Sequence, residues 1–167
     1  ISNTLLSKSY QELEQEQALL QIKYLREGFN QFSAEMDTYA QSVARQESTV
    51  PYVTSPTPVS MSPEAQRTLG RQLKDRNINL LLLSDLDGNI RLQTFVDNTT
   101  GEIKTLKDEY YTIILDAVRS NFIAGQPRSV RGLLRIPGAD LTLWVQAEPV
   151  ISGNVSLPIG LVAVGRR

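Results

Sequence analysis

The sequence predicts an α+β domain in which a five-stranded antiparallel sheet carries helices on one face and leaves the other partly open. Three observations predict it: helical spacing through the first fifty residues, strand-like patterns from residue 78 onward, and tight turns between successive strands. The chain has 167 residues, the length of a single domain. Its 41% hydrophobic and 21% charged residues are typical of a folded globular chain.

The first fifty residues show the spacing of one long helix. Apolar and aromatic side chains recur every three or four residues in two series that are out of phase: Leu6, Tyr10, Leu13, Leu20 and Tyr24, then Leu25, Phe29, Phe32, Met36, Tyr39 and Val43. No proline precedes Pro51, so we expect a helix about 65 Å long at 1.5 Å per residue. A domain of this size cannot bury such a helix. We expect the earlier series to form a homodimer and the later series to pack on the core.

The chain is therefore divided into residues 1–50, a dimerisation and stalk helix, and residues 51–167, the core, which together form one domain. Four prolines, beginning with Pro51, predict an extended loop. Ser62-Pro63-Glu64 has the residues that begin a helix, which we expect to end at Asp75. A further helix is expected over residues 106–122, and strands over residues 78–84, 90–96, 129–136, 141–151 and 157–164. Strands 78–84 and 157–164 are apolar on both faces and should lie side by side at the centre.

Composition excludes most catalytic and metal chemistry. The chain has no Cys and no His, which removes disulfides, thiol nucleophiles, imidazole bases and the usual zinc sites. No Ser-x-x-Lys occurs, and the neighbouring carboxylates of Asp108 and Glu109 point apart on a helix. A net charge of -1 argues against a nucleic-acid partner, and no apolar run is long enough to span a membrane. We expect no enzyme activity, catalytic residue, metal or cofactor in this segment.

An apolar strand followed by Asp85-Leu86-Asp87-Gly88-Asn89 resembles the nucleophile loop of haloacid-dehalogenase-type phosphatases. That chemistry requires a parallel sheet and later acidic residues, whereas here a second strand follows at once. A calcium loop would need an acid at Val96. We therefore interpret the segment as a hairpin turn and expect Asp85→Asn or Asp87→Asn to cost on the order of 1 kcal/mol or less.

Arginines of the last helix and the third strand are the candidate ligand-binding residues. They combine with polar side chains of the next strand, and either tyrosine of the helix is a candidate lid over a small polar or anionic ligand. The full set is Tyr110, Tyr111, Arg119, Arg131, Arg135, Trp144 and Gln146. The alternative is that the arginines form the solvated face of the sheet and that Trp144 simply packs.

Two stretches carry a resemblance to a known family: residues 77–90, with the Asp-x-Asp-Gly hairpin, and the terminal Ile159-Gly160 to Gly165-Arg166. Over residues 5–166 the chain resembles the CHASE-type extracytoplasmic sensory domains, most closely their fourth class, within the PAS-like and Cache-like sensors. The family has a Trp-Asp-Asp-like cluster near the end of the entering helix. Here the comparable residues include Asp37 and Tyr39, without a Trp.

The resemblance implies a PAS-like fold and a function in signal transduction. The segment would be the periplasmic or external input domain of a bacterial membrane receptor, tethered by flanking helices, with a histidine kinase (a two-component system) or diguanylate cyclase as output. The chain begins at Ile1 rather than Met, which also leads us to expect a piece of a longer protein. The alternative is a cytoplasmic PAS- or profilin-like scaffold that dimerises without sensing. Apolar segments on both flanks would distinguish the two.

Overall fold

The computed structural model describes residues 12, 15, 27–58, 60–120, 129–151 and 158–167. The chain divides into two compact units, Ile1–Glu35 and Met36–Arg167. In the first unit the rings of Phe29 and Phe32 meet edge-on with centroids 6.0 Å apart. The side chains expected in the dimer helix lie outside the described residues: Leu6, Tyr10, Leu13, Leu20 and Tyr24.

Helices and strands follow one another largely as the sequence indicates. Residues 27–45 are helical and are called α1. The further helices are α2 (Thr49–Thr54), α3 (Pro63–Asp75) and α4 (Asp108–Ser120). The strands are β1 (Leu80–Asp85), β2 (Ile90–Val96), β3 (Ile103–Lys104), β4 (Val130–Ile136), β5 (Leu141–Ile151) and β6 (Pro158–Arg166). The helices in the described part of the chain include none with the length and hydropathy of a transmembrane span.

The six strands form one antiparallel sheet in the order β3-β2-β1-β6-β5-β4. Strand β1 lies centrally beside β6, with Leu80 opposite Gly165 and Asp85 opposite Gly160. This confirms the expected position of the two strands. Their side chains are buried on both faces because helices cover the sheet from both sides.

The expectation that helices cover only one face is wrong. On one face, Tyr111, Ile114 and Val118 of α4 share a core with Leu80 and Leu82. On the other face, α1, α2 and α3 surround the alternate residues of β1, and their side chains meet Leu81 and Leu83 around a small cavity of about 130 Å³. A strand that is apolar on both sides requires cover on both, so this arrangement follows from the run of leucines in β1.

Two local expectations also need correction. Over the described residues the sheet has six strands rather than five, because Ile103 and Lys104 pair with Val96 and Phe95. Two residues are too few to show an alternating pattern. The segment after residue 48 begins with a short helix, α2, rather than an extended loop, since Pro51 is the third residue of α2, in its first turn, where its missing N–H costs nothing.

Other local features agree with the sequence. Ser62 Oγ accepts a hydrogen bond of 3.2 Å from the Ala65 N–H, and Pro63 is the first residue of α3. Met36, Tyr39 and Val43 of α1, which belong to the later helical series, are buried.

Candidate functional site: a groove beside strand β2 and a buried polar cluster

A groove of about 450 Å³ runs along the outer edge of β2. Five consecutive residues, Ile90 to Thr94, line it. Strand β3 pairs only with Phe95 and Val96, so within the described part of the chain residues 90–94 have no strand on this side. The remaining walls come from the segment before α3, from α3 itself, from β3 and from the start of α4: Pro58, Met61, Gln66, Ile103 and Asp108.

Arg91 is the buried cation of the groove. Leu83 pairs with Leu92 and Ser84 with Ile90, so Arg91 is the extra residue of a β-bulge. Its side chain is only 12% exposed, and Nη2 lies 3.2 Å from Oδ2 of Asp85. Its Nε is buried and has no hydrogen-bond partner among the described residues. A buried donor without an acceptor costs about 1–3 kcal/mol. Because this atom is inaccessible, a molecule in the groove would have to move the Arg91 side chain to reach it.

Asp108 is the carboxylate of the groove. It is exposed at the first turn of α4, and its Oδ1 accepts a hydrogen bond of 2.9 Å from Nε2 of Gln93. The groove therefore combines one guanidinium, one carboxylate and the amide groups of Gln66 and Gln93. Such a lining favours a small polar molecule over an apolar one.

Asp85 organises the turn that adjoins the groove. Its Oδ1 accepts from the backbone N–H of Asp87 at 3.0 Å and of Asn89 at 2.8 Å, and its Oδ2 accepts from Asn89 Nδ2 and Arg91. Burial alone would raise the pKa of Asp85, but these hydrogen bonds and the Arg91 charge outweigh it and lower the pKa. The geometry is that of a hairpin turn. The described residues contain no cluster of carboxylates able to hold a metal ion.

A second polar cluster lies on the face of the sheet that α1 covers. Gln146 of β5 is fully buried, and its Nε2 donates a hydrogen bond of 2.6 Å to Oδ1 of Asp37. Its Oε1 accepts from Nε1 of Trp144 at 2.9 Å. Arg131 Nη2 lies 3.9 Å from the other Asp37 oxygen. The structure thus brings together three of the expected ligand residues, Arg131, Trp144 and Gln146, with Asp37.

The four other expected ligand residues lie apart from this cluster. Arg135 is exposed on the same face of β4, opposite Thr142. Arg119 of α4 donates from Nη2 to the carbonyl oxygen of Leu86 at 3.1 Å, which holds α4 against the hairpin.

The two tyrosines are on the opposite face of the sheet, because α4 covers that face. Tyr110 directs its hydroxyl to the carbonyl oxygen of Gly138 at 3.5 Å. Tyr111 belongs to the core, where burial, together with the charge of Asp108, raises its pKa to about 12. Neither tyrosine lies over Arg131 or Trp144.

Tyr39 and Asp37, the residues noted from the family resemblance, have different partners. The Arg76 guanidinium lies 4.8 Å from the centroid of the Tyr39 ring, whereas Asp37 contacts Gln146.

Arg91 was not among the expected site residues. The signal that could have identified it is a single arginine within the strand pattern of residues 90–96. A broader depression of about 840 Å³ carries cations of α3, but these side chains are all exposed, as expected for a solvated helix face.

Comparisons with known proteins identify the fold. No family model and no curated protein matches the sequence. The extracellular domain of vpHK1S-Z8, described as a histidine kinase, matches with a TM-score of 0.60 and 14% identity, covering 90% of this chain and 56% of that one. A domain of a sensory box/GGDEF family protein from Vibrio parahaemolyticus matches with a TM-score of 0.59 and 15% sequence identity. The match covers 90% of this chain and 59% of that one. The E. coli DcuS sensor domain matches with a TM-score of 0.50 and 12% sequence identity. The match covers 83% of this chain and 90% of that one.

The chain thus has the PAS-like α+β fold of solved sensor domains. It spans a little over half the length of the first two structures. At these identities the likeness concerns the fold, so function has to be argued from the site.

Proposed function

We propose that this chain is the extracytoplasmic signal-sensing input domain of a bacterial transmembrane receptor. Three solved domains with the same fold are sensory domains or belong to sensory proteins, and two of them are parts of histidine kinase and GGDEF family proteins. The observation that carries the proposal is the groove beside β2, which is lined by Arg91, by the carboxylate of Asp108 and by the amides of Gln66 and Gln93. A sensor needs such a site, because a ligand can shift a conformational equilibrium only through contacts that differ between two states.

The contacts around the groove offer a route for the signal. Arg91 bonds Asp85, which ends β1, and Asp85 pairs with Gly160 of β6. Val53 of α2 packs directly on Gly160. A ligand that moves Arg91 therefore acts through Asp85 on β6. A displacement of β6 relative to its neighbours is the kind of small shift that a receptor transmits.

The finer parts of the proposal concern the whole receptor. The domain is of the CHASE type, it forms a homodimer through Leu6, Tyr10, Leu13, Leu20 and Tyr24, and its output is a histidine kinase or a diguanylate cyclase. The domain itself carries out no reaction. The helical spacing of the first series and the sensory neighbours support these statements.

Reporter fusions to the full-length protein test the proposal. In each fusion the protein keeps everything up to Arg167, and a reporter follows directly after that residue. Alkaline phosphatase is one reporter, and it becomes active only after export. Green fluorescent protein is the other, and it stays dark when it is exported in unfolded form. We expect active phosphatase and no fluorescence. Bright fluorescence with inactive phosphatase would overturn the proposal in favour of a cytoplasmic dimerisation scaffold.

A further inference from the structure

We infer that the cavity between α1, α2, α3 and β1 binds a small uncharged molecule that carries one hydroxyl group on an apolar body of about six carbons. This interhelical cavity is a second site, and its binding of a ligand goes beyond the proposed function. Met61 and Leu92 line both the cavity and the groove beside β2, so the two sites share a wall.

The size of the molecule follows from the volume of the interhelical cavity, which is about 130 Å³. Voids larger than a water molecule are few in a packed protein interior, so a space of this size beneath three helices is unusual. An engineered cavity of about 150 Å³ with apolar walls binds benzene. The interhelical cavity therefore has room for a single six-membered ring or a chain of similar size.

The apolar body follows from the inner wall of the cavity. Leu81 and Leu83 of β1 and Val43 of α1 form much of this wall, and all three are buried. Leu69 and Leu92 line the cavity as well and are half-buried. An apolar group that leaves water for such surroundings gains free energy, whereas a strongly hydrated group loses it.

The absence of charge on the ligand follows from the absence of charge on the lining. None of the described residues that line the cavity is ionised at neutral pH. Burial raises the pKa of Tyr39, although the positive charge of Arg76 acts in the opposite direction, so the phenol group stays protonated. A charged ligand would lose its hydration without gaining a partner of opposite charge, and this is costly.

The hydroxyl group follows from Thr49, which is 2% exposed. Its hydroxyl donates a hydrogen bond of 2.6 Å to the carbonyl oxygen of Val43. A hydroxyl group has one donor and two acceptor lone pairs, so Oγ1 of Thr49 can still accept a hydrogen bond from a ligand. Gln46, Tyr52 and Gln72 also line the cavity and are exposed, so a small molecule can reach it from solvent between them.

Four small compounds separate these requirements. Phenol and cyclohexanol carry a hydroxyl group on a six-membered ring, toluene has no hydroxyl group, and benzoate is charged. Calorimetry and the shift in melting temperature measure their binding to the purified 167-residue chain at neutral pH. We expect phenol or cyclohexanol to bind with a Kd of about 1 mM or tighter. Toluene should bind about three- to tenfold more weakly than the preferred alcohol, and benzoate at least about tenfold more weakly.

Val43→Phe tests the location of the site, because the added ring would fill the cavity. We expect this variant to melt at a higher temperature than the wild type, since filling a cavity stabilises a protein, and to bind the preferred alcohol at least about tenfold more weakly. A gain in stability together with a loss of binding is a result that misfolding cannot produce. Val50→Phe is the matched control: Val50 belongs to α2 but does not line the cavity, and the variant should bind like the wild type.

Thr49→Val tests the polar contact, because valine has nearly the same shape as threonine but no hydroxyl group. We expect the affinity for the preferred alcohol to fall about three- to tenfold while the affinity for toluene stays unchanged. A general distortion of the cavity would weaken both ligands to the same extent. Circular dichroism establishes that each variant is folded.

The inference is overturned if neither phenol nor cyclohexanol binds at about 10 mM, which would mean that the cavity holds water alone. It is also overturned if benzoate binds as tightly as the alcohols, if folded Val43→Phe binds unchanged, or if Thr49→Val weakens alcohol and toluene equally. The reporter fusions test the sensing function separately. Exported fusions without alcohol binding would overturn the cavity site alone, and alcohol binding with cytoplasmic fusions would overturn the sensing function alone.

Discussion

Nε2 of Gln146 donates a hydrogen bond of 2.6 Å to Oδ1 of Asp37, a residue 109 positions earlier in the chain. The bond joins α1 to β5, and Trp144 and Arg131 contact the same pair. Because Gln146 is fully buried, its polar atoms depend on protein partners. The cluster therefore couples the position of α1 to the sheet.

Gln146→Glu should destabilise the domain in a pH-dependent way. The variant places a second carboxyl group beside Asp37, and two carboxylates at this distance cannot both ionise without a large cost. The pKa of the pair rises above the unfolded value of about 4.3, so the destabilisation is absent below that pH and grows as the pH increases. Urea unfolding at several pH values measures it. Gln146→Met, which has no ionisable group, is the control. A loss of unfolding free energy in Gln146→Glu that does not change with pH would contradict the explanation.

Asp85→Asn should cost more than the sequence alone suggests. The Asp85 side chain is 16% exposed and accepts four hydrogen bonds. We therefore expect the free energy of unfolding to fall by about 1–3 kcal/mol, which is more than a substitution at an exposed site costs. The lowered pKa of Asp85 adds stability that is present above the unfolded pKa of about 3.9 and is lost as the pH falls through the folded value. The difference between wild type and variant should therefore shrink in acid.

Chemical denaturation near neutral pH and below pH 4 checks both statements. Asp87→Asn is the matched control: Asp87 is exposed, and its loss should stay within about 0.5 kcal/mol. Equal losses for the two variants at neutral pH would show that the hydrogen bonds of Asp85 contribute little.

Gly160→Ala should destabilise the packing of α2 on β6. A methyl group at Gly160 would overlap Val53 and the carbonyl oxygen of Ser84, which belongs to the neighbouring backbone and cannot easily move. Overpacking of this kind costs about 1–3 kcal/mol. Gly132→Ala is the control, since a methyl group there meets no atom within 4 Å. Thermal unfolding should separate the two variants, and similar melting temperatures would argue against a tight α2 contact.

Tyr111→Phe should make the domain more resistant to alkali. Burial, reinforced by the negative charge of Asp108, raises the pKa of Tyr111 to about 12. A raised pKa means that the folded state holds the proton more strongly than the unfolded state. This stability is present below the unfolded pKa of about 10 and is lost as the pH rises through the folded value. Phenolate absorbance measures the titration of the six tyrosines, and the variant should lack the last step near pH 12.

Leu13→Glu combined with Leu20→Glu should abolish self-association. Both belong to the earlier helical series, and charges at such positions disrupt a helix pair. We expect sedimentation to show monomers and circular dichroism to show a folded domain. Gln15→Glu, at an exposed helical position outside the series, should remain a dimer. If the wild-type full-length protein shows no dimer, the proposed helix pair is wrong.

The local elements of this protein could be predicted from its amino-acid sequence. Ser62 and Pro63 predicted the start of α3, and the two strands apolar on both faces predicted a central pair. Residues such as Asp, Gly and Asn predicted the hairpin after β1. These signals are local because capping, turn conformation and face-by-face burial depend on neighbours in the chain.

The side of the sheet that each helix covers, and the contacts between residues far apart in the chain, could not be predicted in this way. An alternating strand shows that Arg131 and Arg135 share a face, but it does not show that α4, with Tyr110 and Tyr111, covers the opposite one. The Arg91 bulge arises from the pairing of β1 with β2, and the Asp37–Gln146 bond joins elements far apart in sequence. Such relationships depend on the packing of whole layers, so no local pattern contains them.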